Sequence, residues 1–152
     1  MKIGTKSLEI LDTLHPDLQE IIKEIDKDFD LVLTKGFVSK EEQELRLNRG
    51  ETTNKFGESP HSQKPSEAVH LAQYHKDTPH VHWNNIPSFT LFAGILIGVA
   101  WSKGIMLTWG GDKNHDFNIS NLPEDWVHFE LTAKMVDGKW VSYKELRKQV
   151  NK

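Results

Sequence analysis

Residues 59–70, SPHSQKPSEAVH, run from a loop of turn-forming residues into a stretch with strand character, with His61 near the start and His70 at the end. A second stretch, DWVHFEL at 125–131, places His128 three residues after Asp125. A zinc ion takes three or four converging nitrogen, oxygen or sulfur ligands, and a catalytic zinc keeps one position open for water. Two ligands from one loop-and-strand segment, a third from a distant strand and a carboxylate beside the third compose such a site. His61, His70 and His128 are therefore the candidate zinc ligands. The chain has no cysteine, so any metal must be held by histidines and carboxylates.

Side chains alternate along a strand, so His128 and Glu130 share a face. Asp125, just ahead of that strand, is placed to take a proton from water attacking a carbonyl, and it is the candidate general base. Glu130 competes for that role or orients a ligand histidine from behind. His80 and His82, read on one strand face, form a rival metal pair with His70 or His75.

Outward from these stretches, Leu8, Leu11, Leu14, Leu18, Ile21, Ile22 and Ile25 recur at helical spacing, and Pro16 divides the helix. DLVLTKGF (30–37) reads as a strand ending at Gly36. Ser39–Asn48 reads as a helix with Ser39 as N-cap and Glu42 completing a capping box. Residues 50–65 form a long surface loop, Glu67–Tyr74 a strand and 78–85 a connection. Ser88–Lys103, bounded by Pro87 and Gly104, is the core helix. Ile105–Trp109 is a strand, 110–124 a loop and Trp126–Leu131 the strand carrying His128. A turn at Asp137-Gly138 closes a hairpin, followed by a charged helix.

The 152 residues suit a single domain, 1–152. Nineteen Lys and Arg against 22 Asp and Glu give a net charge of −3, and the basic residues are dispersed, so no nucleic-acid partner is expected. The longest apolar run, Leu91–Trp101, is too short to span a bilayer and is broken by two glycines. MKIGTKSLEIL lacks the apolar core of a signal peptide. A monomer made in the cytoplasm is expected, reaching any target outside the membrane by a separate export route.

The order of motifs resembles the zinc peptidases that include D-alanyl-D-alanine carboxypeptidases and dipeptidases and, nearer still, phage endolysins that act as L-alanyl-D-glutamate peptidases. Those proteins carry a Gly-aromatic-Arg turn before a helix with a glutamine, a Ser-x-His loop leading to Ala-Val-Asp, and an aspartate three residues before a final histidine. This chain has KGFVSKEEQ (35–43), SPHSQKPSEAVH (59–70), WGGDKNHDF (109–117) and DWVHFEL (125–131). The resemblance implies an α+β fold with a small, mainly antiparallel sheet flanked by helices and zinc at the sheet edge. It implies His61 and His128 as ligands, Asp125 as base, Gln43 near the substrate turn and Ser59 shaping the metal loop. Trp109 and the glycines after it read, from the residues themselves, as lining the substrate groove or as packing. The implied partner is the stem peptide of bacterial peptidoglycan. Two positions depart from the pattern. His70 stands where the family has aspartate, which adds one positive charge to the site, and Val38 stands where it has arginine. The alternative implied by those departures is a module of the same fold that binds wall peptide without cleaving it.

Overall fold

The computed structural model describes residues 3–119 and 125–150, which fall into two compact units, Met1–His82 and Trp83–Lys152. Residues 120–124, the end of the expected 110–124 loop, lie outside the described residues. Within each unit helices pack on antiparallel strands, so the chain is α+β, as expected. Among the described residues no helix is long and apolar enough to cross a membrane.

The first unit opens with α1 (Thr5–Leu11) and α2 (Pro16–Ile25). Pro16 occupies the first turn of α2, where its missing N–H costs nothing, and the His15 Nδ1 caps that turn by accepting from the Asp17 N–H at 3.1 Å. Leu18, Ile21, Ile22 and Ile25 form the apolar stripe of α2 and are all buried. Each such side chain taken from water contributes about 1.5–3 kcal/mol. β1 (Leu31–Lys35) pairs antiparallel with β2 (Ala68–Gln73), with Leu33 opposite Leu71 and, after a bulge, Lys35 opposite His70. The Ser7 hydroxyl ties α1 to this ribbon by accepting from the Leu33 N–H at 3.0 Å. α3 (Lys40–Asn48) is capped by Ser39 Oγ, which accepts from the Glu42 N–H at 3.2 Å. Glu42 bonds forward to Arg46 at 2.9 Å, an i,i+4 pair. The 50–65 loop is more deeply set than expected, because it contains a 3-10 turn, Pro60–Ser62, with Ser59, His61 and Ser62 buried.

The second unit packs α4 (Ile86–Ser102) on β3 (Ile105–Trp109), which pairs with β4 (His128–Val136), which pairs in turn with β5 (Lys139–Ser142); α5 (Tyr143–Val150) ends it. Phe92 of α4 meets Phe129 of β4 edge to face at 6.4 Å. α4 is a core helix along one face. Phe89, Phe92, Ala93, Leu96 and Ala100 are buried, but Leu91 and Trp101 on the opposite side are 70% and 57% exposed. A helix packing on one layer covers one face only, however apolar the other is. β4 begins at His128 rather than Trp126 and continues to Val136, because the left-handed pair Asp137 (φ 49°) and Gly138 (φ 79°) closes a two-residue hairpin onto β5.

Candidate functional site

In the first unit, His61 is fixed by its own loop and by the turn after β1. Ser59 Oγ accepts from the His61 N–H at 3.2 Å, and Ser59 O accepts from Ser62 Oγ at 2.7 Å. The His61 carbonyl accepts from the Val38 N–H at 2.9 Å, and its Nδ1 lies 2.8 Å from the Gly36 carbonyl. A carbonyl only accepts, so Nδ1 carries a proton. That ring is 4% exposed. His70, on β2, meets it edge to face with ring centroids 4.9 Å apart. Two imidazoles this close suit a shared cation held by neutral nitrogens, and a set of imidazole donors without thiolates suits zinc.

Gln43 and Ser59 tie the chain around His61 through backbone bonds. Gln43 is buried and donates from Nε2 to the Asn54 carbonyl at 2.6 Å, which ties α3 to the loop ahead of Ser59. Val38 is 1% exposed, so the position where the resemblance expects arginine is a core position in this chain. Lys64, which the sequence reading passed over, brings its Nζ to 6.0 Å from the Phe37 ring centroid and so places a cation beside this turn. Val38→Arg is expected to destabilise the fold by more than about 3 kcal/mol through burial of an unpaired charge, read as a lower urea midpoint. An unchanged midpoint would show room for a cation there.

In the second unit, Trp109-Gly110-Gly111 sets the entry to β4. A Cβ on Gly110 would collide with the Asp125 carbonyl oxygen and lie 3.1 Å from the Asp125 Cβ, and a Cβ on Gly111 would overlap the Trp109 ring. The Gly110 N–H donates to the His128 carbonyl at 2.7 Å, and the His128 N–H reaches the Asp125 carbonyl at 3.4 Å. His128 Nε2 lies 3.2 Å from Glu130 Oε1, as strand alternation required, which leaves Nδ1 as the other ring nitrogen. Trp109 is buried, its indole N–H donating to the Trp126 carbonyl at 2.7 Å. The Trp109 ring packs against Gly111 and Trp126. His115 bonds Thr108 Oγ1 at 2.7 Å from a left-handed backbone (φ 57°).

The rival histidines sit in a turn, not on a strand face. His75 and His82 stack face to face with centroids 3.7 Å apart, and His80 stacks on Tyr74 at 4.8 Å. Parallel stacking turns ring faces, not nitrogens, toward one another. Burial and the neighbouring His82 hold His75 below the usual imidazole range.

The fold matches that of the Serratia marcescens L-Ala D-Glu endopeptidase ChiX, with a TM-score of 0.66 and 22% identity over 86% of this chain and 90% of that one. The vancomycin-resistance D,D-dipeptidase VanXYg aligns with a TM-score of 0.41 and 18% identity, covering 90% of this chain and 53% of that one. None of the curated proteins compared with the chain matches it. A family model described as phage L-alanyl-D-glutamate peptidase matches residues 1–138, a span that holds the glycine turn after β1, His61, His70, Asp125 and His128. The chain belongs to the phage L-alanyl-D-glutamate peptidase family.

Proposed function

We propose that the protein is a zinc-dependent endolysin that hydrolyses the L-alanyl-D-glutamate bond of the peptidoglycan stem peptide, with His61, His70 and His128 as the zinc ligands. The observation that carries this reading is the His61 ring, buried beside His70 with Nδ1 committed to the Gly36 carbonyl. Bound zinc supplies Lewis acidity toward a carbonyl oxygen and lowers the pKa of water. Asp125 takes the proton from the attacking water and passes it to the leaving amine. The carboxylate of Glu130, bonded to His128 Nε2, would orient that ring as a zinc ligand. Three neutral imidazoles leave the full double positive charge of the ion in place, where an aspartate would cancel one unit; that favours an anionic substrate such as a D-glutamate peptide.

Stripping zinc with a chelator is expected to lower cleavage of purified peptidoglycan at least about 100-fold, with zinc restoring it. Mass spectrometry of the products should show new amino groups on D-glutamate. Undiminished cleavage by metal-free protein refutes the zinc reading. Zinc-dependent cleavage at another bond refutes the substrate, and wall-peptide binding without cleavage favours the non-catalytic module.

A further inference from the structure

We propose that Thr13, in the turn between α1 and α2, is a positioning residue for His61; the proposal rests on the zinc reading above only for its consequence on metal affinity. Thr13 Oγ1 accepts from the Phe37 N–H at 3.1 Å and donates to the Ile10 carbonyl at 2.7 Å. The Phe37 N–H and the Gly36 carbonyl belong to one peptide unit, and that same carbonyl accepts from His61 Nδ1 at 2.8 Å. A trans peptide is planar, so anchoring its N–H fixes the direction in which its C=O points. The hydroxyl of Thr13 on one side and the imidazole of His61 on the other therefore grip opposite ends of a single rigid plane.

The residue behind that plane is glycine, whose backbone is the freest of all and needs an outside anchor to hold one orientation. Glycine is also what lets the anchor come close, since a Cβ there would lie 2.5 Å from Thr13 Oγ1 and 3.0 Å from Ile10 Cγ2. The same turn grips the far side of the loop. The Thr13 carbonyl accepts from the Ser66 N–H at 2.9 Å, and the Ser66 carbonyl accepts from the His15 N–H at 2.8 Å. Residues 13–15 thus bond both the turn that receives the His61 ring and the chain leading from His61 to His70. Without the hydroxyl, the Gly36–Phe37 plane is free to rotate, the carbonyl leaves His61 Nδ1, and the ring loses its preference for the tautomer with a lone pair on Nε2.

Thr13→Val keeps the shape and removes the hydroxyl, and Thr13→Ser keeps the hydroxyl. In zinc-free protein, long-range proton–nitrogen NMR of the histidine rings is expected to show His61 protonated at Nδ1 in the parent and in Thr13→Ser, and a mixture of tautomers in Thr13→Val. Competition with a coloured chelator is expected to show zinc affinity reduced about tenfold or more in Thr13→Val, the scale seen when a ligand's supporting hydrogen bond is lost, and restored in Thr13→Ser. A folded Thr13→Val with the parent's tautomer and an affinity within twofold of it overturns the proposal. If Thr13→Val does not fold, Thr13→Ala, which adds no bulk, is judged on the same two readouts. A parent that binds no zinc refutes the metal reading, while the tautomer measurement still decides for or against Thr13.

Discussion

His61→Ala is expected to abolish tight zinc binding and to lower kcat/KM at least about a thousandfold, the upper range for removing one preorganised electrostatic element from a reacting centre. The substitution acts at a buried ring bonded to Gly36 and packed on His70. Loss of that ring leaves the Gly36 carbonyl without its donor, which costs about 1–3 kcal/mol of stability. That is a modest loss for a domain of this size, so the variant is expected to stay folded at room temperature, as circular dichroism would confirm. Metal content by mass spectrometry and turnover on peptidoglycan are the deciding measurements. A folded variant that keeps one zinc per chain and parental turnover removes His61 from the site.

Gly110→Ala is expected to lower kcat about a hundredfold while leaving the zinc content near that of the parent. Its Cβ would occupy the place of the Asp125 carbonyl oxygen, and a backbone atom cannot swing aside as a side chain can. The shift falls on the residue proposed as the base, and misplacing a catalytic group by about 1 Å costs on the order of a hundredfold. Overpacking of this kind also costs about 1–3 kcal/mol in stability. Unfolding in urea measures that cost, and turnover at saturating substrate measures the catalytic one. Parental kcat in Gly110→Ala would remove Asp125 from the role of base.

Much of the fold could be read from spacing. Pro16 marked the break between α1 and α2, Ser39 marked the start of α3, and Asp137-Gly138 marked the last hairpin. Each of these is a local effect, a missing donor, a side-chain cap or a left-handed backbone, and local effects are carried by neighbours in sequence. The sequence was least decisive where a residue type is shared by two environments. Trp109 has the chemistry of a groove wall, yet its ring is closed over by Gly111 and Trp126. Leu91 and Trp101 have the chemistry of core residues, yet the single layer against α4 leaves them exposed. His80 and His82 looked like strand residues because they alternate, but the chain turns there and their rings stack.

The sequence by itself determined the three candidate histidines, the placing of His128 and Glu130 on one face and the carboxylate ahead of them, while its resemblance to a family implied the α+β class. These follow from periodicities of the chain and from donor chemistry, which are properties of residues and short spacings. Tertiary structure alone decided which nitrogen of His61 is committed to a backbone carbonyl, that Val38 is a core residue, and that Thr13 bonds the peptide unit that receives the His61 ring. The hydrogen bonds among them join side chains to backbone groups 24 and 25 residues away, as Thr13 to Phe37 and His61 to Gly36. Every residue carries the same backbone donor and acceptor, so no residue type announces which of them folding will bring within reach.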